Sequence, residues 1–330
     1  MTECPGKTAG EHPAPARIHG PMSQSGSPLL TRFFNKPILL LVLTTMFWGG
    51  NTIAGRLAIG EVSPMAVVLL RWIAVSGLLL VLYGRQVRAE WPTLRRHLPI
   101  LIAMGMFGFT AFNALFYIAA HSTTAVNLGI IQGSMPMFVL LGALVILRTP
   151  IRPLQALGVL VTMAGVAFIA AQGDLSRLAG LEVNIGDALM IIACLLYSLY
   201  AVLLRKRPPV SGMVFFTVLA VVAAVTSVPL FAIEVSQGAL QWPTPKGWLV
   251  IAYISIFPSC LSQIFFMRGV ELVGPGRAGV FINLVPIFSS LLAVSLLGEP
   301  FHLYHAAALC LVLIGIALSE RKARQPAPAT

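Results

Sequence analysis

From residue 37 onward the chain is a succession of long apolar runs separated by short polar breaks. Ten runs are long enough to cross a hydrocarbon core, which takes about 20 residues of helix. Their limits are 37–58, 64–83, 98–119, 124–147, 154–171, 188–204, 213–233, 248–267, 276–297 and 303–319. Polar and apolar positions do not alternate within them, which excludes the two-faced strands of a barrel and leaves helices. Breaks such as RTPIR at 148–152 are short enough to make neighbouring helices antiparallel hairpins. The residues before the first run are rich in Pro, Gly and Ser and read as a disordered tail. The first run is a full span and lacks a small-residue cleavage pattern at its end, so it is not a signal peptide.

Composition sharpens this pattern. Hydrophobic residues make up 57% of the 330 positions and charged residues 10%, and the mean hydropathy is +0.87. A soluble domain carries roughly a quarter charged residues, so the fold class is an all-α polytopic membrane protein. The net charge of +11 lies in clusters between the runs rather than along one face, which argues against nucleic acid. With the amino terminus placed inside, 18 Lys and Arg fall on the inner segments and 3 (Arg56, Arg177, Lys246) on the outer ones. That bias predicts that both termini are cytoplasmic. Cys4, Cys194, Cys260 and Cys310 have no metal or redox spacing and read as small buried hydrophobes.

The second half repeats the first. At an offset of 150, Pro136 falls on Pro286, Phe138 on Phe288, Leu141 on Leu291, Leu147 on Leu297, Pro150 on Pro300 and Gly165 on Gly315. Phe116 meets Phe266, Gly129 meets Gly279, and Asn113 meets Gln263. Small drifts bring Arg56 onto Arg205 and SPM at 63–65 onto SGM at 211–213. Each repeat holds five runs. Five is odd, so the second repeat enters from the opposite side, the inverted construction of secondary transporters. The predicted organisation is a tail at 1–36, repeat 1 at 37–171, a periplasmic linker at 172–187, repeat 2 at 188–319 and a tail at 320–330. A proline inside a helix removes a hydrogen bond and kinks it. The matched Pro136 and Pro286, in the fourth and ninth runs, therefore predict two bending elements beside a central cavity, or two shapes fixed for packing alone.

Several segments resemble a known family. FWGGNTIAGR in the first run, SPMAVVLLR entering the second, and NLVPIFSSLLAVSLLGEP followed by HAAALCLVLIGIAL are similar to the drug/metabolite transporter superfamily, EamA type. The resemblance covers about residues 37–320 and is closest in texture to the aromatic amino-acid exporter branch. It implies ten helices around a central substrate cavity, the fifth and tenth at the periphery, and export of amino acids or other small metabolites. Repeat 1 departs from the pattern, with Arg148 and Thr149 where repeat 2 has Gly298 and Glu299.

Polar side chains at membrane depth mark candidate sites. Arg71 lies about 11 Å from the outer end of the second run, by the helical rise, with no acid in the same helix to pair with it. Either it faces a hydrated cavity, where it can hold a carboxylate, or it binds backbone carbonyls of a kinked neighbour. Trp48 and Asn51 lie one turn apart on one face, and Tyr197 and Tyr200 match them in the sixth run. Such sets suit a ligand with an apolar body and polar ends, or they pack helices together. Asn113, Gln132, Ser134, Gln263 and Asn283 either line the cavity or tie helices to one another. No Asp or Glu lies in the middle third of a run, and Glu271 and Glu299 sit near run ends, where Glu299 reads as a cap or an outer pair. His302 and His305 have the spacing of a metal pair but sit at an interface. No nucleophile–base set, phosphate loop, cofactor site or metal triad is present in the pattern, which argues against an enzyme.

The resulting expectation is an inner-membrane secondary transporter, monomer or homodimer. It exports small zwitterionic metabolites, amino acids of the aromatic or large neutral class, by alternating access. Its partners are a small-molecule substrate and the lipid bilayer. The expected substrate-binding residues are Trp48, Asn51, Arg71, Asn113, Gln132, Tyr197, Tyr200, Gln263 and Asn283, with Pro136 and Pro286 as gates. The rivals are a multidrug carrier, which needs an intramembrane carboxylate, a nucleotide-sugar carrier, which needs several basic groups in the cavity, and a channel or membrane scaffold.

Overall fold

The computed structural model describes residues 32–148, 150, 152–174, 184–273, 278 and 281–320. The bulk of both tails, Thr149, Arg177 with most of the predicted linker, and Arg277 and Gly279 lie outside the described residues. Among those described, every regular element is a helix and there is no strand. The elements are α1 (Pro37–Leu57), α2 (Pro64–Arg96), α3 (Leu98–Ala119), α4 (Ala125–Gly133), α5 (Met135–Leu147), α6 (Pro153–Ala170), α7 (Ile185–Leu203), α8 (Gly212–Ser236), α9 (Pro245–Val273), α10 (Val285–Leu297) and α11 (Leu303–Glu320). Six helices are long and apolar enough to cross a membrane, or seven when α4 and α5 count as one broken span. α6, α10 and α11 contribute shorter apolar helices. Helix starts follow local chemistry: Thr124, Ser211 and Thr244 each accept a backbone N–H in the first turn of their helix, as does Asn184 ahead of α7.

Two sequence expectations change. The basic stretch after residue 83 is not a loop, because α2 runs on as helix to Arg96. Its extension buries Leu94, and Glu90 accepts a hydrogen bond from Ser211 N at 3.3 Å, so tertiary contacts hold a segment whose charges suggested a break. Pro136 and Pro286 do not interrupt continuous helices either. Each sits in the first turn of a new segment, α5 or α10, where its missing N–H has no partner to lose. The break before α5 bends the path by 41°.

Local features recur between the halves at nearly constant offsets. α3 contains a π-helical segment at Met106–Ala111 and α9 one at Ser255–Leu261. The residues closing α5 and α10, Arg148 and Gly298, both have left-handed φ, 51° and 64°. Glycine adopts that conformation freely, whereas for Arg148 it costs roughly 1–2 kcal/mol.

The halves interdigitate rather than sit side by side. α1 packs on α9 and α10, α2 on α8, and α7 on α3 and α5. α6 and α11 pack on each other along their length. In lipid such contacts depend on close packing rather than on exclusion of water. Gly165 and Gly315 supply it here: a Cβ on Gly315 would fall 2.2 Å from Thr162 Oγ1, and one on Gly165 3.0 Å from the Ala308 carbonyl. Val81, Val145, Leu249 and Leu303 point outward, as a lipid solvent requires.

Candidate functional site

A cavity of about 1740 Å³ runs through the middle of the bundle. It reaches the end where α1 begins and where α7 and α9 finish, among the exposed Arg32, Asn35, Arg207 and Glu271. At that mouth Arg268 pairs with Glu271 at 3.0 Å.

The deep end of the cavity is organised by Arg71, which is only 6% exposed. Its Nε donates to Ser259 Oγ at 2.7 Å, and its Nη1 donates to Asn113 Oδ1 at 2.7 Å and to Tyr117 Oη at 2.9 Å. The Tyr117 hydroxyl then donates to Asn51 Oδ1 at 3.0 Å. The three bonds from the guanidinium are charge-assisted, worth about 1.5–3 kcal/mol each, and they replace the backbone carbonyls that were the alternative anchor. Nη2 makes no hydrogen bond to a described residue, while Arg71 lines the cavity. A fixed cation with spare donors is therefore offered to whatever enters.

Both π-helical segments serve this constellation. In α9 the widened turn lets Ser259 Oγ donate to the Ile254 carbonyl five residues back while accepting from Arg71. In α3 the segment carries Gly108 and Phe109 into the cavity wall. A Cβ on Gly108 would lie 2.5 Å from the Tyr200 ring, so glycine is what allows the ring to cover this turn. Single π turns inside α-helices gather at functional sites for this reason: they re-aim side chains and free carbonyls.

Aromatic rings form a large part of the wall. Trp72 and Phe109 lie 4.9 Å apart, Phe109 and Tyr200 5.5 Å, Tyr200 and Tyr197 5.3 Å, and Tyr197 and Phe112 5.4 Å. Trp48 stacks obliquely on Phe266 at 5.4 Å on another part of the wall. Gln132 and Gln263 also line the cavity. The Gln132 Oε1 atom is buried with no hydrogen-bond partner among the described residues, so it does not tie helices together through that atom.

Of the residues singled out in the sequence, Trp48, Asn51, Arg71, Asn113, Gln132, Pro136, Tyr197, Tyr200 and Gln263 all reach this one cavity. Asn283 and Pro286 do not line it, although Ile282 and Val285 beside them do. Pro286 instead packs against Gly133, where a Cβ would meet its ring at 2.7 Å. Tyr117, Ser259, Trp72, Phe109 and Phe112 are additions the sequence did not single out. Nothing in an apolar run distinguishes these aromatics from packing residues, and Ser259 is aimed by a π turn that leaves no mark in the hydropathy pattern.

The opposite end of the bundle is sealed. Glu299 accepts from Ala125 N at 2.9 Å and Val126 N at 3.1 Å, at the start of α4, and lies 3.6 Å from Arg56 Nε. Arg56 Nη1 also donates to the carbonyls of Ala120 and Thr123. Glu234 accepts from Ser63 Oγ and from the amides of Met65 and Ala66 at the start of α2. Glu61 bonds to Thr244 and pairs with Lys246 at 3.1 Å across the loops. Thr244 and Lys246 hold the Glu61 carboxyl below the usual range, and burial together with Arg56 pushes His121 below the usual histidine range.

The profile of the EamA-like transporter family matches residues 35–171 and again 184–321. The chain belongs to the EamA-like transporter family. It is 24% identical over 289 residues to the uncharacterized transporter YyaM of Bacillus subtilis, covering 87% of this chain and 94% of that one. It is 21% identical over 277 residues to the uncharacterized inner membrane transporter YedA of Escherichia coli, covering 83% and 87%. A solved crystal structure superimposes with a TM-score of 0.58 at 18% identity, covering 86% of this chain and 96% of the other, a likeness of fold. Membership in this family gives the multi-pass helical bundle a transport role.

Proposed function

We propose that the chain is a secondary transporter that exports small zwitterionic metabolites, aromatic or other large neutral amino acids first among them, by alternating access. The observation that carries the reading is Arg71, buried in a ring of neutral hydrogen-bond partners with Nη2 unused at the wall of an aromatic cavity. Its guanidinium takes the carboxylate of the substrate, the rings around Tyr200 hold an apolar side chain, and Gln132 Oε1 accepts from the ammonium. Asn51 and Asn113 position Arg71, the former through Tyr117.

Ten spans in two inverted repeats complete the proposal, supported by the matched π segments, helix breaks and left-handed caps near an offset of 150. Lys and Arg concentrate at the end holding the cavity mouth, so this end is cytoplasmic by the positive-inside rule. The state described is then inward-open, in a bacterial inner membrane, as a monomer or homodimer. The breaks at Pro136 and Pro286, which lie close together because Pro286 packs against Gly133, act as paired hinges.

Among the described residues, the one carboxylate lining the cavity is Glu271 at the mouth, which disfavours a multidrug cation exporter. A nucleotide-sugar carrier is the second reading, favoured by Arg32, Arg207 and Arg268 around the mouth of a cavity of about 1740 Å³. Counterflow in proteoliposomes, with labelled amino acids and sugar nucleotides tested on wild type and Arg71→Ala, separates these readings. Saturable exchange of large neutral amino acids, lost in the variant, is the expected result. Exchange of sugar nucleotides alone moves the assignment to the second reading. Non-saturable flux, or flux indifferent to Arg71, overturns both in favour of a channel or scaffold.

A further inference from the structure

Asp187 lies in the first turn of α7 and is fully buried. Its Oδ1 accepts from Thr123 Oγ1 at 2.5 Å and from Asn127 Nδ2 at 3.3 Å, and its Oδ2 accepts from Asn127 Nδ2 at 3.2 Å. No Lys, Arg or His among the described residues pairs with it. A buried carboxylate facing only neutral donors is expensive to keep ionised. Beside it is a complementary oddity: Asn127 is 4% exposed, and its Oδ1 is buried with no hydrogen-bond partner among the described residues. An ionised carboxylate can only accept, so it cannot satisfy that oxygen, whereas a protonated one can donate to it. Half a turn of the amide exchanges one arrangement for the other.

The position suits exchange with solvent and with the transport path. Thr123 and Asn127 also line a second, polar cavity of about 320 Å³, together with Arg56, Asn184 and the exposed His121. The bond crosses the seam between the halves, with Asp187 on α7 of the second half and Thr123 and Asn127 at the start of α4 in the first. The same helix carries Tyr197 and Tyr200 into the central cavity. Of the other ionisable groups at this end, Arg56 is paired with Glu299, Glu61 with Lys246, and Glu234 with Ser63 and two amides. His121 stands at the cavity rim, and His302 donates its amide to His305 Nδ1 ahead of α11.

We infer that Asp187 is a proton-binding site that couples transport to proton movement, making the protein a proton–substrate antiporter; this rests on the transport reading above. A proton entering through the polar cavity adds to one carboxylate oxygen, which then donates to Asn127 Oδ1. The bond from Thr123 stays on the unprotonated oxygen, but the bonds from Asn127 Nδ2 to an anionic carboxylate are exchanged for one neutral bond, so the tie between α7 and α4 weakens and the sealed end loosens. Release of the same proton on the other side, after the substrate has left, restores the carboxylate and the seal.

The test begins without substrate. pH-difference infrared spectroscopy of the protein in lipid is expected to show a carboxylic C=O band in wild type that is missing in Asp187→Asn, and Thr123→Val is expected to move its midpoint by about one pH unit. Identical spectra for wild type and Asp187→Asn overturn the site. Should that variant fail to fold, an unmoved midpoint in Thr123→Val overturns it. The coupling is then read in vesicles loaded with a pH-sensitive dye, using an amino acid that exchanges. Wild type is expected to move protons against substrate, and Asp187→Asn to exchange substrate without moving protons. Substrate flux without proton flux in wild type overturns the coupling and leaves the substrate assignment intact. If no amino acid exchanges, the substrate assignment falls, and the infrared result alone decides the proton site.

Discussion

The two ends of this bundle are built from the same parts in different numbers. At the sealed end, three carboxylates from the second half, Asp187, Glu234 and Glu299, each bind the start of a helix or the loop before it in the first half. At the open end the matching device occurs once among the described residues, as Glu90 on Ser211 N. In the sequence, Ile38 stands near the place of Asp187 and Thr149 in the place of Glu299. A carboxylate at a helix start satisfies orphan amides and meets the positive end of the helix dipole. The difference teaches that closure is anchored unequally, with one end held by charged caps and the other left to packing.

The largest effect expected around this comparison is at the cavity, where, on the proposed function, Arg71 holds a ligand rather than a seal. Arg71→Ala removes about 2–5 kcal/mol of substrate binding, at least a roughly 30-fold loss by the usual conversion, read as the half-saturation of counterflow. Arg71→Lys, which keeps the charge but gives up the fork, falls between the two. Glu299→Ala comes next. It leaves the Ala125 and Val126 amides without their acceptor and removes the ion pair with Arg56, and about 1–3 kcal/mol of stability is expected to go, seen as a lower melting temperature in detergent. Glu90→Ala, which removes a single 3.3 Å bond, is expected to cost at most about half as much; equal losses would end the contrast between the two ends.

Ser259→Ala tests the aim of Arg71 rather than its presence. The loss of one charge-assisted bond predicts a drop in counterflow affinity of roughly tenfold, with little change in melting temperature. A variant indistinguishable from wild type would mean that the π turn in α9 plays no part in holding the guanidinium. The smallest effect belongs to Glu61. Because its carboxyl is held below the usual range by Thr244 and Lys246, its contribution is complete above the ordinary carboxylate range. That contribution is lost as pH falls through the lower value of the folded state. Glu61→Gln is therefore expected to lower the melting temperature slightly at neutral pH and to leave it unchanged at low pH, which flattens the acid side of the profile.

Much of the candidate site was legible because charge and amide groups are rare within apolar runs. Arg71, Asn51, Asn113, Gln132 and Gln263 stood out on that ground alone, and all reach the cavity. Asn283 stood out for the same reason and does not line it, since a helix break before α10 turns its neighbours inward instead. Asp187 did not stand out because it fell at the end of the predicted linker, 172–187, one residue ahead of the sixth run, whereas the helix begins at Ile185. It lies near a helix end, yet packing of the loop before α4 encloses it completely.

The sequence by itself determined the solvent and the apolar helices, though not every break, since α2 runs on to Arg96 and α5 and α10 start as new segments. Long apolar runs have no other stable backbone in lipid, and prolines and capping side chains fix helix starts through bonds to near neighbours. The repeat was equally visible, since matched residues at a fixed offset need no structure to be counted. Only the tertiary structure decided which polar groups meet. Arg71 finds Ser259 188 residues away and Asp187 finds Thr123 64 residues away, and such pairings depend on how helices from the two halves interleave. It also decided that one end is open and the other sealed, because closure is a property of contacts between elements and leaves no pattern within any one of them.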